Sequence, residues 1–135
     1  MVLRTSKEKV RLDTDVYLAD TLGELKMLYA SADVAFVGGS MVPNGGHNIL
    51  EAAAVGVPVM FGPYMSNFKE IARKVLAANA AIQCEDEAAL ILNLLILYNE
   101  PSYRATLAEN AKAFLIQNQG ATDKICKTLS LAMVE

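Results

Sequence analysis

Two short apolar runs, each closed by glycine or proline, constrain the fold of this chain more than any other feature. The first, DVAFVGG, spans Asp33–Gly39, and the second, VPVMFGP, spans Val57–Pro63. Neither run alternates apolar with polar residues, which is typical of strands buried on both faces, as in a parallel sheet. Pro58 is acceptable because it stands at the first positions of its run. The segment between the runs must then lead from the end of one parallel strand to the start of the next.

The other segments predict helices and strands in alternation. Further short strands are predicted at Asp15–Asp20 and Ala80–Cys84. Six helices are expected: Asp20–Asp33, from near His47 or Asn48 to Gly56, Asn67–Asn79, Glu85–Glu100, Pro101–Asn118 and Ala121–Val134. The first should be capped by Asp20 or Thr21, and the fourth by Glu85 or Asp86. Gly120 should break the chain before the last helix.

This alternation predicts an α/β fold, a doubly wound parallel sheet followed by a helical C-terminus. About four strands are recognisable, fewer than such sheets usually have, and the segment before Asp15 is polar. We therefore expect residues 1–135 to form a single domain that is the later part of a larger one.

Composition narrows the class of protein. Hydrophobic residues make up 53% of the chain and charged residues 20%, which favours a compact core. The net charge of −3 argues against broad contact with nucleic acid. The most apolar run, Ala88–Tyr98, is about half as long as a membrane span and predicts a buried helix. No signal peptide is apparent at the N-terminus. Cys84 and Cys126 are expected to be reduced and mostly buried, with a disulfide or a nucleophilic cysteine as the alternatives.

Two strand-to-helix junctions carry the candidate binding residues, because ligands of open α/β sheets bind at the carboxyl ends of strands. In the first junction, DTLGEL, Gly23 is expected in the first helical turn, where glycine is costly unless a ligand approaches the backbone. Glu24 beside it could accept hydrogen bonds from hydroxyls or a base edge. An ordinary capped helix with a solvated glutamate is the alternative.

The second junction is FVGGSMVPNGGHNILE, Phe36–Glu51. Gly45 and Gly46 lead into a helix start, where free N–H groups and the helix dipole favour an anion such as phosphate. Glu51 could accept both hydroxyls of a ribose. A structural glycine-rich turn is the alternative explanation.

The remaining polar residues of these loops have several interpretations. His47 could donate to a phosphate or sugar, or could stabilise the loop; a metal role is disfavoured because the chain has no second histidine. Ser40 lacks the G-x-S-x-G context of a hydrolase nucleophile. In the third loop, GPYMSNFKEI, Asn67 could cap the next helix. Lys69 and Glu70 could line the same cleft or could be surface charges.

The ordered motifs DTxGEL, FVGGS, GGHNxLE and GPxxxNF resemble the C-terminal region of 3-deoxy-D-manno-octulosonic acid (Kdo) transferases, which are GT-B glycosyltransferases of Gram-negative lipopolysaccharide synthesis. The similarity runs roughly from Val16 to Leu129. It implies a Rossmann-like, three-layer parallel sheet that is the C-terminal part of a donor-binding domain. Ile49 and Ala52 stand where the family often has proline, and both should keep the helix intact.

The resemblance also implies a site and a reaction. Residues of both junctions would contact the CMP part of CMP-Kdo, with Glu51 on the ribose and Gly45, Gly46 and His47 by the phosphate; the set is Leu22, Gly23, Glu24, Gly45, Gly46, His47, Asn48, Ile49, Leu50 and Glu51. No cofactor and no metal are expected. The parent enzyme would transfer Kdo to a lipid A precursor at the cytoplasmic face of the inner membrane.

Several parts of the family's enzyme are expected to lie outside this chain. They are the membrane anchor, the acceptor groove, the catalytic carboxylate that acts as general base, and an arginine-containing donor contact. The chain alone would then be soluble and catalytically silent. Two alternatives stay open: the donor domain of another GT-B enzyme that uses UDP-sugars, and a stand-alone nucleotide-binding or interaction module.

Overall fold

Five short parallel strands and five helices make up the described part of the chain. The structure is a computed structural model that describes the backbone of residues 1–132 and the side chains of residues 1–120. The strands are β1 (Val2–Leu3), β2 (Tyr17–Leu18), β3 (Ala35–Val37), β4 (Val59–Phe61) and β5 (Ile82–Gln83). The helices are α1 (Leu25–Ala30), α2 (Leu50–Ala54), α3 (Lys69–Ala77), α4 (Glu87–Asn99) and α5 (Pro101–Ala132), with short 3-10 turns at Arg4–Ser6 and Ser66–Phe68.

All described strand pairs are parallel, but they form two sheets rather than one. β1 pairs with β2, and β3, β4 and β5 form a second sheet with β4 in the centre. The α/β class and the parallel pairing are confirmed. About four strands of one sheet were expected, whereas the structure has five strands in two sheets, because Val2–Leu3 in the N-terminal segment forms β1. Val2 there donates its N–H to the carbonyl of Val16 at 2.9 Å.

β4 is buried on both faces, which explains its uninterrupted apolar sequence. Val59 and Phe61 belong to the larger core cluster, with side chains from α2, α3 and α5. Met60 points the other way and packs with Cys84, Leu97 and Leu107. Helices therefore cover both faces of the central strand, which is the expected three-layer arrangement.

One predicted helix cap is confirmed and two are wrong. Asp86 caps α4 as expected and accepts the Ala89 N–H at 2.7 Å. Asp20 does not cap α1, because its carboxylate accepts the backbone N–H and the hydroxyl of Thr5 instead. Asn67 does not cap α3, since it lies inside the 3-10 turn before that helix.

The two C-terminal helices also depart from expectation. α5 continues through Gly120 without the predicted break, because glycine is tolerated inside a helix that is otherwise supported. In α4, only Leu97 is buried, so the predicted buried helix is wrong. Its exposed apolar side chains are Ile91, Leu92, Leu94, Leu95 and Tyr98. Cys84 is a buried free thiol, whereas the Cys126 side chain lies outside the described residues.

Candidate functional site

Ser40 fixes the carboxyl ends of β3 and β4 to each other. Its side chain is fully buried; the hydroxyl donates to the Val37 carbonyl at 2.5 Å and accepts the Gly62 N–H at 2.8 Å. The Ser40 carbonyl accepts the Tyr64 N–H at 2.9 Å. The hydroxyl of Ser40 thus acts both as donor and as acceptor within the chain, so Ser40 holds the loop in place and is not an exposed nucleophile.

Gly45 and Gly46 are required by packing inside the chain. Both are buried and have positive φ, +87° and +74°. A Cβ on Gly45 would lie 2.3 Å from the Asn67 side-chain nitrogen, and one on Gly46 would lie 2.3 Å from the Met65 sulfur. The Gly45 carbonyl also accepts the Asn67 N–H at 3.1 Å. Other residues of the chain therefore fill the space that a side chain at either glycine would need. A ligand would have to approach these glycines from another direction.

The N–H groups after the glycines are the open part of this loop. The Gly46 N–H donates to the Gly39 carbonyl at 3.1 Å, and the Leu50 N–H donates to the Asn48 side-chain oxygen at 3.0 Å. The N–H groups of His47, Asn48 and Ile49 meet no acceptor within the described residues. His47 and Asn48 are exposed whereas Ile49 is buried, so two consecutive free donors are open to an anion at this turn.

His47 covers Gly39 with its exposed ring. A Cβ on Gly39 would lie 2.9 Å from the ring carbon Cδ2 and 3.0 Å from Nε2. Gly39 also has a positive φ of +70°. The contact of the His47 ring with Gly39 agrees with a role in stabilising the loop. The ring is also exposed, so it is able to contact a ligand.

Ile49, Leu50 and Glu51 point in different directions. Ile49 is only 1% exposed, backbone included, and Leu50 packs against the core. Glu51 is exposed in the first turn of α2. Burial of the Tyr29 hydroxyl, and then the nearby negative charge of Glu51, raise the pKa of Tyr29. α2 begins at Leu50, later than predicted, and has five residues, so its dipole contributes less than expected.

A cavity of about 390 Å³ lies beside Glu51. Asn48, Leu50 and Glu51 line it from the second junction, and Lys26 lines it from α1. Sequence reasoning missed Lys26, because a lysine on the polar side of an amphipathic helix has no distinguishing pattern. Only the contact between α1 and α2 reveals it.

The first junction is built around a bidentate ion pair. Arg4 donates from Nη2 to Glu24 Oε1 at 2.8 Å and from Nε to Oε2 at 3.0 Å. Thr21 donates its hydroxyl to the same Oε2. The hydrogen bonds from Arg4, then that from Thr21, lower the pKa of Glu24 to about 2, and the Glu24 side chain is 32% exposed. Both carboxylate oxygens of Glu24 thus have partners inside the chain.

Gly23 precedes α1 instead of lying in its first turn. Its φ is +81°, and no atom lies within 4 Å of the position of a Cβ. Leu22 next to it is 99% exposed. The helix starts late because this left-handed residue turns the chain at Gly23. Here the glycine does leave open space, which a ligand could occupy.

The two junctions line different depressions. Arg4, Leu22 and Glu24 border one of about 680 Å³, which the residues around Glu51 do not reach. The start of α1 lies between the two depressions, because Glu24 borders the first and Lys26 lines the second together with Glu51. Within the described residues, His, Cys, Asp and Glu form no group of three that could hold a metal, and no helix there has the length and apolarity to span a membrane.

Comparison with known proteins defines the class to which this fold and site belong. Residues 2–114 match the family described as Glycosyl transferases group 1, and the chain belongs to that family. Its relatives include a 3-deoxy-D-manno-octulosonic acid transferase of Bordetella pertussis, 44% identical over 85% of this chain and 27% of the relative. Another from Haemophilus influenzae is 35% identical over 95% of this chain and 30% of the relative. The chain therefore spans less than a third of the length of these enzymes.

A solved structure with the same fold comes from Acinetobacter baumannii. It is the C-terminal CMP-Kdo binding domain of WaaA, 37% identical, with a TM-score of 0.78. The match covers 84% of this chain and 60% of that domain. The resemblance to Kdo transferases seen in the sequence motifs is confirmed.

Proposed function

We propose that this chain is the CMP-Kdo-binding part of a Kdo transferase. The observation that carries the proposal is the likeness, at 37% identity and a TM-score of 0.78, to a domain described as binding CMP-Kdo. The described site agrees in chemistry, because free N–H groups, an exposed carboxylate and an open glycine all lie at the carboxyl ends of parallel strands.

In this proposal, the nucleotide lies along the turn from Gly45 to Glu51. The N–H groups of His47 and Asn48 donate to the phosphate of CMP, and the carboxylate of Glu51 accepts from the two ribose hydroxyls. From the first junction, just before α1, Leu22 contributes an apolar contact to the nucleotide and Gly23 a backbone contact. Glu24 acts indirectly, since Arg4 and Thr21 already use its oxygens, and it fixes the turn that presents Gly23.

In catalysis by the parent enzyme, these groups would bind CMP, the leaving group of the reaction. An acceptor hydroxyl attacks the anomeric carbon of Kdo, the bond to the phosphate breaks, and CMP departs with the negative charge. N–H groups already aimed at that phosphate stabilise the charge as it develops. The general base, the lipid A precursor and the attachment to the inner membrane of a Gram-negative cell belong in this proposal to the rest of the enzyme, which acts in lipopolysaccharide synthesis.

Glu51→Ala in the full-length transferase tests the role of the ribose contact. We expect kcat/KM for CMP-Kdo to fall by about tenfold or more, since a hydrogen bond to a charged group contributes about 1.5–3 kcal/mol. Glu70→Ala is the matched control, because Glu70 is an exposed glutamate of α3 that pairs only with Lys74, at 3.2 Å. Wild-type transfer by Glu51→Ala would contradict the proposed site.

A further inference from the structure

A separate depression lies at the carboxyl edge of the three-stranded sheet. Its volume is about 660 Å³. The segment after β4, the inner face of α3 and Gln83 at the end of β5 enclose it. None of the proposed nucleotide contacts lines it, although strand ends are where such sheets bind ligands.

Two cations line this cavity from the same face of α3. Lys69 and Arg73 are four residues apart, so their side chains are neighbours on the helix. Lys74 beside them is neutralised by Glu70, whereas Lys69 and Arg73 have no ion-pair partner among the described side chains. Like charges at this spacing destabilise a helix, and a bound anion would remove the repulsion.

The rest of the lining suits a ring more than a bare ion. Pro63, Tyr64 and Leu76 supply apolar and aromatic surface, and Ser66 and Gln83 add polar groups. A pocket with an apolar floor and a few placed polar groups holds an organic ligand by its ring and orients it by its charge. An anionic sugar has both properties.

The cavity shares a wall with the glycine loop. Within the segment Pro63–Phe68, the residues Pro63–Ser66 line the cavity on one side. On the other side the segment packs against the loop, through Met65 on Gly46 and through the Asn67 N–H on the Gly45 carbonyl. A phosphate held by the loop would therefore carry its sugar next to this cavity.

We propose that the cavity holds the sugar-acid part of the nucleotide-activated donor, with the carboxylate on Lys69 and Arg73. The inference rests on the proposed function, since it takes the nucleotide to bind at residues 45–51. The carboxylate is attached to the anomeric carbon of the sugar, so the donor carries it and free CMP does not. That difference makes the subsite separable from the nucleotide site.

Calorimetric titration of the 135-residue chain with CMP and with CMP-Kdo tests the subsite. The variant Lys69→Gln/Arg73→Gln should lose about tenfold or more of its affinity for CMP-Kdo, because charge-assisted hydrogen bonds are lost. Its affinity for CMP should stay within about twofold of the wild type. Lys74→Gln is the matched control on the same helix and should change neither affinity.

Each other outcome has a definite meaning. An unchanged CMP-Kdo affinity in the double variant, or equal losses for both ligands, overturns the subsite and leaves the nucleotide site standing. A wild-type chain that binds neither ligand contradicts the proposed function and the subsite together. Glucosamine 1-phosphate is the probe for a phosphorylated acceptor. If it, and not CMP-Kdo, shifts the Arg73 Nε–H signal in NMR spectra, the cavity belongs to the acceptor and the inference is wrong.

Discussion

Glu24 and Glu51 follow corresponding strand ends, yet their carboxylates are in opposite situations. Arg4 and Thr21 occupy both oxygens of Glu24, whereas Glu51 makes no hydrogen bond or ion pair within the described residues. A carboxylate that is already paired stabilises its turn, and one that is free can bind hydroxyls of a ligand. The sequence could not separate these roles, because the partner of Glu24 comes from an N-terminal segment with no recognisable pattern.

Arg4→Met tests the ion pair at the first junction. We expect the pKa of Glu24 to rise from about 2 toward its ordinary value of 4.5, because the hydrogen bonds from Arg4 are the main cause of the lowering. In the wild type, the stabilisation from this pair is fully present above the unfolded pKa and is lost as the pH falls through the folded pKa, near 2. A ¹³C NMR titration of the side-chain carboxyl measures both forms.

Arg11→Met is the matched control, since Arg11 pairs only with the exposed Asp13 at 3.5 Å. It should leave the Glu24 titration unchanged. A Glu24 pKa that stays near 2 in Arg4→Met would show that Arg4 does not hold the carboxylate in solution.

At the scale of elements, the helix starts that follow the strands were harder to predict than the strands themselves. The apolar runs at Asp33–Gly39 and Val57–Pro63 predicted β3 and β4. Burial on both faces is confirmed for β4 only, because Phe36 in the middle of β3 is 38% exposed. The late starts of α1 and α2 left no comparable sequence pattern. They depend on left-handed glycines and on which N–H groups the loop itself uses, and these are set by contacts between distant segments.

Gly62→Ala tests the close approach of β4 to the serine loop. A Cβ there would lie 2.3 Å from the Ser40 carbonyl oxygen and 2.5 Å from its carbon, and backbone atoms held by buried hydrogen bonds cannot move aside. We expect a loss of about 1–3 kcal/mol in the free energy of unfolding, measured by urea denaturation. Gly38→Ala is the matched control: nothing lies within 4 Å of its Cβ position, and it should cost far less. Equal losses in both variants would argue against the described packing.

Gly120→Ala tests whether α5 is continuous. In a helix interior alanine is more favourable than glycine by about 1 kcal/mol, so the variant should unfold at a higher urea concentration. No atom lies within 4 Å of the Cβ position at Gly120, so packing adds no penalty. A loss of stability would instead indicate a left-handed break at this residue, as the sequence pattern predicted.

At the scale of the molecule, the chain corresponds to one part of its longer relatives, and in our proposal this part binds the donor. It spans 27% of the Bordetella relative and 30% of the Haemophilus relative. The second junction could be proposed from the sequence because its glycines, histidine and glutamate are contiguous. Arg4, Lys26 and the cavity at Lys69 and Arg73 were not predictable, since only the packing of α1, α3 and the N-terminal segment brings them to the site.

The central claim is that residues 45–51 bind the nucleotide of CMP-Kdo. An NMR titration of the chain with CMP, set beside the same titration with UMP, tests it most directly. We expect saturable shifts of the amides of Gly23, Gly45, Gly46, His47, Asn48 and Glu51 with CMP, and weaker ones with UMP. Amide signals that stay in place at millimolar CMP would contradict it.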